Sequence, residues 1–165
     1  MMVFELLCDG FFAAVAAIGF GAISNPPRRA FPGIAALAAI GHALRLLLMS
    51  EWGVDIATAS LCASIVIGLL SLVIGARTHC PITVMFIPAL LPMIPGMYAY
   101  KTVFSMMMFM QNLSNPQVSL EYLDGIVLNG FVTFSVIFML AAGATVPIFL
   151  FSGHAYSLTR RRMYR

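Results

Sequence analysis

Charge is what this sequence has least of. Of its 165 residues only 9% are charged, while 61% are hydrophobic. A soluble domain carries about 25% charged residues. One small water-soluble globule is therefore excluded, because so much apolar surface exceeds what a core of this size can bury. Lipid must cover the rest, and too few polar residues remain to build a second, soluble domain. Cysteine is scarce as well. Cys8, Cys62 and Cys80 lie far apart with no CxxC pair, so neither a zinc site nor a disulfide framework is expected. No P-loop, HExxH, GxGxxG or Ser-His-Asp set occurs. His42, His79 and His154 would fall at different membrane depths, so no metal, cofactor or enzymatic activity is expected. The net charge of +3 comes from arginines placed by topology, not from a basic patch interleaved with aromatics, so nucleic acid is not an expected partner. The opening MMVFELLCDG is acidic at Glu5 and Asp9 and has no basic flank, which argues against a cleaved signal or a lipid-modified Cys8.

What the sequence has in abundance is long apolar runs. A spanning helix needs roughly 17–25 apolar residues. The first run covers about Val3 to Ser24 and stops at Asn25-Pro26-Pro27-Arg28-Arg29. The second covers about Gly33 to Ser50, with Trp52 suited to the headgroup interface. The third covers about Asp55 to Ala76. The fourth, about Ile82 to Leu113, is too long for one straight span and contains Pro88, Pro92, Pro95 and Gly96, so it must bend or break. A loop is expected at Ser114 to Gln117, and a last span from about Tyr122 to Phe151. The expected fold is an all-α integral membrane protein of about five spans, the fourth broken, with four spans as the alternative. Residues 1–152 would form a single transmembrane domain and 153–165 a basic cytoplasmic tail.

Charge tests this topology. With five spans, Arg28, Arg29, Arg77 and the tail residues Arg160, Arg161, Arg162 and Arg165 fall on one side. Glu5, Asp9, Glu51, Asp55, Glu121 and Asp124, the only acidic residues, fall at or near the other. Lys and Arg mark the cytoplasmic side, so the N-terminus is expected outside and the C-terminus inside. Small residues at four-residue spacing, Ala13/Ala17/Gly21, Ala35/Ala39/Ala43 and Ser60/Ser64/Gly68, predict close helix contacts. The Met106 to Met110 tract is expected to fill packing gaps, since consecutive residues point around a helix and not at one metal.

His42 and Arg45 escape the topology pattern. They are three apart on one helix face, and His42 lies roughly 13 Å along the axis from Gly33, near mid-membrane. An ionisable group there is costly and marks a cavity or partner helix. Arg45 would offer forked donors to a carboxylate, and His42 a switchable charge that could carry protons. Against this stand Arg45 snorkelling to the interface and His42 making a neutral interhelical hydrogen bond. The segment PALLPMIPGMYAYK is the second candidate. A break at Pro95-Gly96 frees backbone groups that lipid cannot satisfy, and transporters bind solutes at such breaks. A helix starting after Gly96 would point its positive end at an anion, with Tyr98, Tyr100 and Lys101 nearby. The competing reading is a structural kink. Asn25, Arg28 and Arg29 form a polar elbow that either contacts a partner or simply stops a helix.

The elbow NPPRRAF, the helix GHALRLLLM and the broken LPMIPGMYAYK, in that order, resemble the small membrane subunit of the threonine/serine exporter superfamily, and within it the YjjB-type subunits of two-component bacterial succinate exporters. The resemblance covers roughly residues 10 to 150, at Asn25, Arg28, Gly41, His42, Arg45, Pro92, Pro95, Gly96 and Tyr98 or Tyr100. It implies a five-span unit used twice, the second copy residing on a larger YjjP-type subunit, and location in the bacterial inner membrane. It further implies export of a small organic anion such as succinate. Threonine/serine export and a non-transporting assembly subunit are the alternatives. Amino-acid export needs a carboxylate for the ammonium, and with every acid expected near the outer edge the partner would have to supply it.

Overall fold

The computed structural model describes residues 2–151. The expected basic tail lies outside the described residues. The described chain is helical throughout, with no strand among the described residues. Its helices are α1 (Met2–Ile23), α2 (Phe31–Glu51), α3 (Ile56–Thr78), α4 (Ile82–Leu90), α5 (Gly96–Gln111) and α6 (Pro116–Leu150). Short 3-10 turns at Arg28–Ala30 and Leu91–Met93 precede α2 and follow α4. The chain forms two compact units. One holds α1 to α4, the turn ending at Met93, and α6 from Met139 onward; the other runs from Ile94 to Phe138.

In the first unit, α1 and α2 make a tight hairpin. The Ser24 and Asn25 N–H groups close on the carbonyls of Gly21 and Ala22 at 3.0 and 3.1 Å. Asn25 then takes a left-handed conformation, φ 46°, which Asn tolerates better than most residues. Pro26 and Pro27 cannot continue the helix. The Ala13/Ala17/Gly21 face is buried as expected. The α2 stripe is not: Ala35, Ala39 and Ala43 are only half-buried, and the buried positions are Gly33, Ile34, Leu37, Ala38, Gly41 and His42. The reason is that α2 is central, touching α1, α3 and α4. Ala39 meets α1 at Gly10, where an added Cβ would lie 3.3 Å from the Ala39 carbonyl. A Cβ at Gly41 would collide with Ile67 of α3, and one at Gly33 with Met85 of α4.

Asp55 caps α3 by accepting the Thr58 N–H at 2.9 Å. The helix ends with His79 left-handed at φ 52° and the Cys80 N–H returned to Gly75 at 3.2 Å, a Schellman closure usually built on glycine. Ser60, Ser64 and Gly68 are buried as expected. The end of α6 packs on this stripe. A Cβ at Gly143 would strike Ser64, and one at Gly68 would sit 2.9 Å from the Ala144 carbonyl. Ser64 also donates to the Met139 carbonyl at 3.3 Å, an interhelical bond of the kind lipid favours.

In the second unit, α5 meets the first part of α6 through small residues, Gly125 against Ser105 and Gly130 against Thr102. Large apolar side chains such as Phe131, Phe134 and Leu128 face outward, each at least two-thirds exposed. Met106, Met107 and Met110 are also exposed, so the methionine tract does not fill gaps in the chain's own core. A neighbouring turn must enclose a side chain for packing, and this tract lies on the outer side of a two-helix unit.

Helices α1, α2, α3 and α6 are each long and apolar enough to cross a membrane. The α4 and α5 segments pass the same test only together, giving up to five spans. The last helix begins at Pro116, earlier than the expected Tyr122. Asn115 accepts the Ser119 N–H at 3.0 Å as N-cap, and Pro116 occupies the first helical position, where its missing N–H costs nothing.

Candidate functional site

The α1–α2 hairpin determines which polar groups meet. Residues equidistant from its elbow lie side by side, which brings Asp9 of α1 to His42 of α2. His42 Nδ1 and Asp9 Oδ2 are 3.0 Å apart, the one ion pair among the described residues. The His42 side chain is 10% exposed and that of Asp9 38%, so the imidazole is walled in while the carboxylate keeps an open edge. The buried His42 Nε2 has no partner among the described residues. The sequence alone marks Asp9 as an outer-edge topology charge. The structure corrects that: it lies a third of the way along α1, beside the central helix. The available signal was the hairpin register, since 9 and 42 flank the elbow symmetrically.

One turn along α2, the half-buried Arg45 donates from Nη1 to the Met93 carbonyl at 2.7 Å. The guanidinium thus turns inward to α4's end instead of snorkelling outward. Met93 closes the 3-10 turn after α4, and its carbonyl lies where the chain leaves the helix. A cation there satisfies a stranded acceptor and complements the negative end of the helix dipole. Only one of Arg45's five N–H donors is used in this bond.

The break itself falls at Ile94-Pro95. Pro95, at φ −79° and ψ 71°, forms an inverse γ-turn in which the Gly96 N–H returns to the Ile94 carbonyl at 2.8 Å. The Tyr98 N–H is taken by the Pro95 carbonyl at 3.1 Å. The start of α5 is therefore less open to an anion than expected, because the turn has engaged two of its first N–H groups, leaving that of Met97. Gly96 is exposed with nothing within 4 Å of an added Cβ. Tyr98 is half-buried, Tyr100 stacks on Phe104 with centroids 6.2 Å apart, and Lys101 is exposed. Pro88 and Pro95 are buried and Pro92 half-buried. The structure thus gathers His42, Arg45, Asp9 and the Met93 carbonyl in the first unit. Gly96 to Lys101 belong to the second.

At the opposite end of α2, Asn25 and Arg28 are exposed, and Arg29 donates to the His79 carbonyl at 3.2 Å. That bond puts the elbow and the α3–α4 connection at the same end of the first unit. No group of three or more His, Cys, Asp or Glu residues able to hold a metal occurs among the described residues.

Several long apolar helices, small-residue contacts and ionisable groups held within spans define a multi-pass α-helical membrane protein. The chain belongs to the threonine/serine exporter family, a family of transporters: the sequence signature described as "Threonine/Serine exporter, ThrE" matches residues 9–150. An "Uncharacterized protein" of Haemophilus influenzae (strain ATCC 51907 / DSM 11121 / KW20 / Rd) is 32% identical over 137 residues. The match takes in 83% of this chain but 46% of that relative, so the chain spans about half the relative's length. No solved structure matches.

Proposed function

We propose that this chain is the small membrane subunit of a secondary transporter that exports a small organic anion, with a C4-dicarboxylate such as succinate as the leading substrate. The observation that carries the reading is Arg45, a cation kept within a span and turned onto the broken backbone at Met93. Its remaining donors suit a carboxylate, and an ionisable group held within a span is a functional candidate by default. The relative's greater length leaves room for a second unit of similar size. This supports a unit used twice, the counterpart here being a larger membrane subunit. The arginine sorting supports an N-terminus outside and a C-terminus in the cytoplasm, and the family resemblance supports location in a bacterial inner membrane.

A second reading, export of threonine or serine, is favoured by Asp9. Its part-exposed carboxylate beside His42 supplies the acceptor an ammonium group needs, and the family description names those amino acids. A pure assembly role has no such observation behind it. The test is efflux of radiolabelled succinate and threonine from cells preloaded with each and containing this chain with its larger subunit. The expected result is succinate efflux that Arg45→Gln lowers at least about tenfold, the loss of roughly 1.4 kcal/mol of binding. Threonine efflux without succinate efflux would select the second reading. Neither above background would end the transporter proposal.

A further inference from the structure

The buried imidazole of His42 has one nitrogen engaged and one bare. Nδ1 faces the Asp9 carboxylate at 3.0 Å. A carboxylate only accepts, so the neutral ring must carry its hydrogen on Nδ1, and Nε2 is left as a lone pair. That atom is enclosed and has no partner among the described residues. An unpaired acceptor in a protein interior costs about 1–3 kcal/mol, and as a bare lone pair Nε2 can take up a proton.

The charges around it are few. Asp9 faces it from α1, with Glu5 one turn nearer the helix start and exposed. Arg45 lies one turn along α2. The only charged side chain of α3, Arg77, is in its last turn, and α4 with the 91–93 turn has none. With Nε2 bare, Asp9 and Arg45 cancel. With Nε2 protonated, the cluster of Asp9, His42 and Arg45 carries one net positive charge.

We infer that His42 Nε2 is the transporter's proton site, held ready by Asp9 as a positioning residue, and that its proton moves together with an organic anion in the same direction. This rests on the exporter reading above. The sign follows from the charge count: the protonated cluster attracts an anion, and by linkage the anion must strengthen proton binding by the same factor. An amino acid would do the reverse. Its ammonium would compete with the protonated ring for Asp9 and so exchange against the proton.

The site can be read without any flux, by nitrogen-15 NMR of histidine-labelled protein in lipid, with His42→Gln identifying the resonances. The neutral ring is expected to show a bare Nε2, and Asp9→Asn to lose that bias, which a merely structural role for Asp9 would leave in place. Succinate should shift the Nε2 titration upward by about one pH unit or more, the size of a nearby counter-charge effect. Threonine should shift it downward. A hydrogen on Nε2 in the neutral wild-type ring, or a titration that succinate leaves unmoved, would overturn the inference. Failure of succinate efflux in cells with this NMR response intact would instead count against the exporter reading alone.

Discussion

Asp9 and Asp55 are both acidic residues expected on one side of the membrane, yet they do different work. Asp9 is drawn inward to His42. Asp55 stays outside the membrane-spanning segment as the cap of α3, and hydrogen bonding from Thr58, side chain first and then backbone, holds its carboxyl below the ordinary value. A depressed carboxyl stabilises the fold above its unfolded value and loses that contribution as pH falls through the folded one. Asp55→Ala should therefore lower stability by about 1 kcal/mol at neutral pH. The gap between the two melting curves in detergent should narrow below roughly pH 4. A gap that stays constant into acid would remove the cap's role. His42 and Arg45 were legible from the sequence because ionisable residues stand out in apolar runs. Asp9 was not, since five acidic neighbours in the same topological class masked it until the hairpin register was known.

Helix existence was plain from apolar length, and helix ends were legible wherever a cap was read along with hydropathy. The elbow at Asn25 to Pro27 was found because two prolines and two arginines interrupt the run. The start of α6 was missed by six residues because Asn115-Pro116, a cap followed by a first-turn proline, precedes a polar turn that hydropathy alone discards. The break at Pro95 was found, but its γ-turn was not, because φ and ψ at one proline decide where the freed N–H groups go. Small-residue spacing located the α1 and α3 faces but not that of α2, which has three neighbours and therefore no single face. At this scale Gly143→Leu should disrupt the seat of α6 on Ser64 and Leu61, costing about 1–3 kcal/mol by overpacking. Gly96→Ala, with open space around it, should leave melting nearly unchanged. Equal losses for the two variants would refute the packing described for α3 and α6.

Across the whole molecule, the outward-facing Phe, Leu and Met side chains are what a lipid-facing surface requires. If residues 82–111 cross as one broken span, Ser114 lies on the side opposite Arg28. In a cysteine-free background, Trp52→Cys and Ser114→Cys should both react with an impermeant maleimide on intact cells, while Arg28→Cys should react only after permeabilisation. Labelling of Ser114→Cys only after permeabilisation would make that segment re-entrant and the number of spans four. We propose that Arg45, turned inward onto Met93, is kept in the membrane to receive a carboxylate. Equilibrium binding of radiolabelled succinate to the purified complex, wild type against Arg45→Gln, tests it most directly. Wild type should bind saturably, and the substitution should weaken binding at least about tenfold in protein that still melts cooperatively; equal binding by both forms, or none by the wild type, would remove Arg45 from the binding site.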